Sequence, residues 1–329
     1  MKVILNEKTN PYYNLAFEEY VMTHLEPGEK CVILWQNEPT IVVGKHQNTV
    51  EEINEQFVKE KGINVVRRMS GGGAVYHDGG NLNYTVIHHQ GDREQAPFDF
   101  ASFTRPVVDL LKRLGVPAAF NSRNDLDIEG KKFSGNAQYV KGPIILHHGT
   151  LLFDSELEVM VRALNVSDDK IISKGIKSVR SRVTNISEHL PVPMTMAEFK
   201  HQLAKALSEG EAETAFEHTE ALEAEVCKLR DSKYATWDWN YGTSPDFNVQ
   251  KRRKFDFGLV DVRLAVESGV IRQCKIYGDF FGKSQIEALE AQLTDIPYDG
   301  PAVDEALSHL NVGDYVAGAD RALLSALIV

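Results

Sequence analysis

Arg67-Arg68-Met69-Ser70-Gly71-Gly72-Gly73-Ala74-Val75-Tyr76-His77-Asp78-Gly79-Gly80-Asn81-Leu82-Asn83-Tyr84-Thr85 places a run of three glycines between β-rich segments. Residues 63–67 lead in as a strand, and residues 73–77 and 82–88 follow as two more. Consecutive glycines cost backbone entropy in an ordered fold, and they let backbone N–H groups approach a ligand with no side chain in the way. Arg67 and Arg68, just upstream, can counter phosphate or carboxylate charge. A glycine-rich hairpin with solvated arginines is the alternative reading. The turn lies between strands rather than before a helix. Tyr76 also occupies the place where a G-x-G-x-x-G fingerprint needs its last glycine, so the dinucleotide fingerprint is absent.

Working upstream, Asn10-Pro11 reads as a helix start, followed by an apolar face at Leu15, Val21, Met22 and Leu25. Residues 31–35 and 40–43 read as strands, and residues 50–61 as a helix ending at Gly62. Downstream, residues 100–114 show helical spacing. Residues 125–128 and 132–140 form a hairpin around Glu129-Gly130, and a second turn at Lys141-Gly142-Pro143 leads into a strand over 144–153. Helices are expected over 155–164, 195–207 and 220–233. Strands joined by hairpins with helices interspersed are not the regular alternation of a doubly wound sheet. The fold class is therefore α/β of the α+β type: a mixed, largely antiparallel sheet flanked by helices. The aromatic, turn-rich segment 237–249 marks a boundary, giving a catalytic domain over 1–245 and a small accessory domain over 246–329. The latter reads as a hairpin of strands over 254–266 and 270–277, followed by helices over 283–293, 302–310 and 318–328.

Two further polar constellations accompany the glycine turn. In Gly130-Lys131-Lys132-Phe133-Ser134-Gly135-Asn136-Ala137, strand alternation puts Lys132, Ser134, Asn136 and Gln138 on one face. A lysine at the edge of a polar cleft can hold two anionic reactants together. In His147-His148-Gly149-Thr150-Leu151-Leu152, the apolar end can line an acyl pocket, and His148 is either a ligand contact or a satisfied structural histidine. Other chemistries fall away. Gly278-Asp279-Phe280-Phe281-Gly282-Lys283-Ser284 has three residues between its glycines where a P-loop needs four. There is no H-E-x-x-H, no zinc spacing among the histidines and no G-x-S-x-G elbow.

The net charge of −11 argues against a nucleic-acid partner. The segment 170–182 nonetheless gathers Lys170, Lys174, Lys177, Arg180 and Arg182, which suits a specific anion or else a solvated loop. No apolar run is long enough for a membrane span, and the first residues turn polar too soon for a signal peptide, so a cytoplasmic location is expected. Cys31, Cys227 and Cys274 are isolated and odd in number, which fits a reducing compartment.

Taken together, these segments resemble the lipoate–protein ligase family. Its RRxSGGGxVxHDxGN, KxSGxA and HHGTLL patterns are matched, in order, by residues 67–81, 132–137 and 147–152. Residues 174–185 resemble the family's adenylate-binding loop, with Lys174, Ser178, Arg180 and Arg182 as its polar members. The resemblance implies the catalytic domain shared with biotin ligases and a two-step reaction. Lipoate and ATP give lipoyl-adenylate and pyrophosphate, and the acyl group then passes to a specific lysine of an acceptor protein. It also implies ATP contacts from Arg68, Gly73, Ala74, Val75 and Tyr76. By the same resemblance Lys132 is expected to touch both ATP and lipoate as the catalytic lysine, and Ser70, Gly71, Gly72, His77 and His148 to lie around lipoate. ATP and Mg²⁺ are co-substrates, with no tightly bound cofactor, and Asp125 is the candidate metal ligand. The implied partners are lipoyl-accepting proteins, such as the glycine-cleavage H protein and the acyltransferase subunits of 2-oxoacid dehydrogenases. An ATP-independent octanoyl or lipoyl transferase would need a site cysteine, and residues 32–225 hold none. A non-catalytic acyl-adenylate binder is the other alternative; the intact lysine and arginines argue against it.

Overall fold

The structure is a computed structural model that describes residues 1–91, 99–121, 123–164, 182–208, 216, 218–242 and 247–329. It divides into two compact units. The first is built on a seven-stranded sheet of order β1-β2-β6-β10-β9-β8-β7. Its strands are β1 Lys2–Leu5, β2 Lys30–Trp35, β6 Asn81–His89, β7 Ala118–Phe120, β8 Asp125–Ile128, β9 Lys131–Lys141 and β10 Ile144–Leu152. Only β1–β2 is parallel. A separate three-stranded sheet joins β3 Thr40–Val43, parallel to β4 Asn64–Arg67 and antiparallel to β5 Val75–His77. This is the mixed, antiparallel-rich architecture the sequence predicts.

Strand alternation gives the large sheet two different faces. Val32, Leu34, Leu82, Tyr84 and Leu151 point to one side and are buried with Val107, Leu111, Phe199 and Leu203 from helix α4 (Phe100–Arg113) and the helix Met196–Leu207. The residues between them point to the other side. There, register sets Trp35 opposite Asn83, Asn83 opposite Thr150, and Thr85 opposite His148. The second face is therefore polar at its centre. Helix α1 (Pro11–Thr23) supplies Glu18 to it; its start is fixed by Pro11 and by Asn10, whose side chain accepts from the Tyr13 N–H at 2.9 Å.

Three local expectations differ. The helix predicted over 50–61 breaks into α2 (Thr49–Glu52) and α3 (Glu55–Lys61), because Asn54 caps the second by accepting from the Phe57 N–H at 3.2 Å. The helix over 220–233 gives way after Leu229 to a wider π-turn, Arg230–Tyr234. Within the aromatic segment, Trp237–Asn240 is a short helix.

The second unit comprises Tyr241–Val329 with two short segments, Gly44–Asn48 and Met69–Gly73. Its sheet runs β11 (Val249–Phe255), β12 (Gly258–Glu267), β13 (Val270–Gly278), β14 (Ile296–Pro297), all antiparallel. One face packs Val260, Val262, Leu264 and Ile276 against Leu289, Val303, Leu307 and Leu324 of the helices. The strand expected over 254–266 is two strands turning at Asp256-Phe257. The stretch before that turn, Lys251-Arg252-Arg253-Lys254, has none of the apolar alternation that signals a strand.

Candidate active site

The quoted stretch divides between the units, with Met69–Gly73 in the second and its flanks in the first. In the second unit its three glycines have three separate reasons. A Cβ on Gly71 would lie 2.2 Å from the Phe280 carbonyl oxygen, so that position must be bare to let two backbones meet. Gly72 has φ 91, a left-handed conformation that side chains disfavour. Gly73 is exposed, and a Cβ there meets nothing within 4 Å, so this glycine leaves open space. The segment is held by the Lys45 N–H donating to the Ser70 carbonyl at 2.8 Å. Beside it, the His46 ring stacks on Phe280 at 4.8 Å. Ser70 itself is buried.

The two arginines also part company. Arg67 is committed to holding the chain: its Nε donates to the Trp239 carbonyl at 2.9 Å and its Nη2 to Thr49 Oγ1 at 2.6 Å, while the Trp239 indole donates back to the Arg67 carbonyl at 2.8 Å. Arg68 is buried, with Nη1 donating to the Val42 carbonyl at 3.1 Å. Burial pulls its pKa down to about 10, the charge of Glu18 opposing the fall and that of Arg67 adding to it. Arg68 is thus cationic at neutral pH and within the field of Glu18.

On the polar sheet face, Glu18 Oε1 accepts from Thr85 Oγ1 at 2.5 Å and faces His148 Nδ1 at 3.0 Å, and the Trp35 indole donates to Thr85 at 2.9 Å. This chain orients the His148 ring. His77, on β5, is buried with an asparagine on each side. Amide nitrogens can only donate, so His77 Nδ1 accepts from Asn37 at 3.0 Å and Asn83 at 3.4 Å. That fixes the proton on Nε2, a buried donor with no partner among the described residues. Burial, with the charges of Arg68 and His148, drives the His77 pKa down to about 3. The ring is neutral at any ordinary pH. His147 points the opposite way, into the core, stacked on Phe103 at 5.0 Å and bonded to Gln138 at 3.1 Å.

Lys132 corrects the expectation made for its strand. A bulge at Phe133 lets Leu126 face Ser134 while Asp127 faces Lys132. Ser134, Asn136 and Gln138 therefore turn to the core side, where Asn136 Oδ1 accepts from the Tyr84 hydroxyl at 2.5 Å. Lys132 turns to the other face with Gly135. Its Nζ ion-pairs with Asp125 Oδ1 at 2.8 Å and would stand 3.1 Å from a Cβ on Gly135. Register along β9 and β10 places Ala137 opposite His148, and the Gly135 N–H donates to Thr150 Oγ1 at 3.2 Å. Lys132 and His148 thus share one sheet face, with Gly135 lying between them.

Beside Lys132 runs the chain 182–184: the Lys132 N–H donates to the Arg182 carbonyl at 2.7 Å, and the Thr184 N–H donates to the Lys132 carbonyl at 3.0 Å. Arg182 is exposed, whereas Lys174, Ser178 and Arg180 lie outside the described residues. A cavity of about 510 Å³ opens here, lined by Lys131, Ser155, Glu156, Thr184, Asn185 and Glu188 among others. The buried Ser155 hydroxyl has no partner among the described residues. Burial chiefly, then the charges of Asp78 and Glu156, raise the Tyr76 phenol's pKa; Asp78, just after β5, accepts from the N–H of the cavity residue Glu156 at 2.8 Å. Val75 and Ala74 are half-buried next to Tyr76.

Glu18, Trp35, Asn37 and Thr85 build the polar sheet face around His77 and His148, and sequence reasoning passes over them. A carboxylate inside the apolar run Leu15-Ala16-Phe17-Glu18 was the available signal, since a buried charge needs a partner. The three cysteines are free, and Cys31 and Cys274 are buried. Burial pushes the Cys31 thiol up to about 12, the reverse of an activated nucleophile.

Residues 10–208 match the family model described as the lipoyl protein ligase A/B catalytic domain, and residues 244–328 match the bacterial lipoate protein ligase C-terminus. The chain is 44% identical to the lipoate-protein ligase LplJ of Bacillus subtilis over 319 residues, covering 96% of each. Among solved structures it is similar to P. falciparum LipL1 in complex with lipoate, with TM-score 0.80, 26% identity and 94% of both chains covered. It is also similar to a lipoate-protein ligase A bound with ATP, with TM-score 0.64, 27% identity, 73% of this chain and 98% of that one covered.

Proposed function

This chain belongs to the lipoate–protein ligase family and is an ATP-dependent ligase, and on that footing we propose how its residues divide the work. Lys132 is the catalytic lysine. The observation that carries this is its placement: the bulge at Phe133 turns its ammonium onto the face shared with His148, over a bare Gly135. In the first step a lipoate carboxylate oxygen attacks the α-phosphorus of ATP, and pyrophosphate leaves. Two anions must meet, and an ammonium between them lowers the repulsion and stabilises the charge developing on the phosphoryl oxygens. Arg68, cationic and buried, adds to the same field. The open space at Gly73, with Ala74, Val75 and Tyr76, suits close approach of the nucleotide, and the cavity lined by Glu156 and Thr184 has room for it. Ser70, Gly71 and Gly72 shape the turn; His77 Nε2 and the Glu18-oriented His148 offer polar contacts to lipoate.

Mg²⁺ fits Asp125. Among the described residues no three His, Cys, Asp or Glu side chains converge, and Mg²⁺ is ordinarily held by one or two carboxylates plus substrate phosphates. Asp125 would hold the ion, which supplies charge neutralisation at the phosphates, and would then release Lys132 from its ion pair. Arg182, with Lys174, Ser178 and Arg180, makes up the adenylate-binding set. In the second step an acceptor lysine nitrogen attacks the acyl carbon and AMP leaves. The acceptors are lipoyl-accepting proteins of the glycine-cleavage H and acyltransferase kinds. The cytoplasm, where free thiols persist, is the proposed location.

Lys132→Ala is expected to lower lipoate-dependent ATP–pyrophosphate exchange by about 10²- to 10³-fold. Exchange within about threefold of the unaltered chain would remove Lys132 from the chemistry.

A further inference from the structure

The second unit carries Lys251-Arg252-Arg253-Lys254, four cations in succession in a chain of net charge −11. They lie in β11, the edge strand of its sheet. Arg252, Arg253 and Lys254 are exposed. The nearest carboxylate across the ladder does not neutralise them. Asp261 is the Cα partner of Arg252, but it is buried, and its oxygens accept from Gln250 Nε2 at 3.0 Å and Arg263 Nη2 at 2.9 Å. Arg253 is held with its guanidinium 5.1 Å from the centre of the Phe255 ring. Further in on the same sheet side, Arg263 and Lys275 are already ion-paired, with Asp261 at 2.9 Å and Glu290 at 2.6 Å, so the strip's charge is that of β11 itself.

Charged side chains on an edge strand discourage unwanted strand pairing, a role that charge of either sign can fill. Four adjacent like charges repel one another, and that repulsion is relieved when an opposite charge docks. The ligase reading supplies a reason for such docking: the second step needs a folded protein to settle long enough for one lysine to reach the adenylate. We infer that the β11 edge is a docking strip for an acidic surface of the acceptor protein, used in acyl transfer and not in adenylate formation. The inference rests on the proposed function. Charge complementarity of this kind steers encounter and weakens with salt.

The test uses the full chain with all four residues changed to glutamate (K251E/R252E/R253E/K254E) or to glutamine, with apo glycine-cleavage H protein as acceptor. Glutamate still guards a strand edge but reverses the field. Both variants should keep the thermal midpoint and the lipoate-dependent ATP–pyrophosphate exchange rate of the unaltered chain. At low salt, KM for the acceptor should rise about tenfold or more with glutamate and less with glutamine, kcat being unchanged. Added salt should raise KM for the unaltered chain and lower it for the glutamate variant. Acceptor KM within twofold in both variants, with the same salt dependence as the unaltered chain, would overturn the strip. So would binding of a short DNA duplex that depends on the four cations while acceptor KM does not. Exchange without any transfer by the unaltered chain is a separate result, one that sinks the ligase reading itself.

Discussion

His77 shows how a single buried group ties stability to pH. Its pKa lies near 3 in the fold and at the ordinary value of 6.5 when the chain is unfolded. As pH falls below 6.5 the unfolded chain takes up a proton that the native ring refuses, so acid favours unfolding. The contribution is complete above pH 6.5 and is lost progressively toward pH 3. Each pH unit in that window corresponds to about 1.4 kcal/mol, or about 2 kcal/mol between pH 6.5 and 5. His147, also shifted down by burial and by His148, adds in the same direction. Denaturant midpoints at pH 7 and 5 should therefore separate strongly for the unaltered chain and less for His77→Gln, by about one proton's worth. An unchanged pH dependence in His77→Gln would show that its burial is not what sets the acid limit. At this same scale, residue type alone does not reveal roles. Arg67 and Arg68 are adjacent and chemically identical, yet one is spent on Trp239 and Thr49 while the other is buried, bonded to the Val42 carbonyl and within the field of Glu18.

Among the elements, β9 is where the site departs from what periodicity predicts. Its motif residues were legible, and their common face was not, because one extra residue at Phe133 reverses every side chain before it. The bulge leaves no mark in a stretch whose polar residues already alternate. The main strands, their antiparallel pairing and the hairpins at Glu129-Gly130 and Ser268-Gly269 were legible, since turn glycines and apolar alternation are local. The break at Asn54 and the basic strand β11 were not: at the break Ile53 bridges Leu164 and the Asn54 N–H donates to the Ala163 carbonyl, and an edge strand likewise depends on neighbours distant in sequence. The bulge carries its own prediction through Gly135. A Cβ there would stand 3.1 Å from Lys132 Nζ and 3.3 Å from its Cε, so Gly135→Ala must push a flexible side chain aside without touching backbone. Folding should survive, with a stability change under about 1 kcal/mol. The exchange rate should fall about tenfold to hundredfold, because small misplacement of a reacting group is costly. A strong loss of stability with normal exchange per folded molecule would mean that Gly135 serves packing alone.

For the molecule as a whole, the second unit is more than an appendage in sequence, because it includes Met69–Gly73. The bare position at Gly71 exists to meet the Phe280 carbonyl, and Phe280 is fully buried in that unit's core with His46 stacked on its ring. The glycine turn proposed to shape the nucleotide and lipoate site is thus shaped by a residue some two hundred positions away in the chain. Phe280→Ala removes a buried aromatic ring and should cost about 3–5 kcal/mol in the second unit. It leaves the Phe280 carbonyl in place but takes from His46 the ring it stacks on, next to the Lys45 N–H that holds the Ser70 carbonyl, so exchange should fall through a raised KM for ATP even at temperatures where the protein stays folded. Lys132, Asp125 and Gly135 belong to the first unit, so kcat at saturating ATP should change much less than KM. The measurement is exchange against ATP concentration, paired with thermal unfolding of the same preparation. Should Phe280→Ala lower the unfolding midpoint yet leave KM for ATP unmoved, the shape of the glycine turn would not depend on the Phe280 ring.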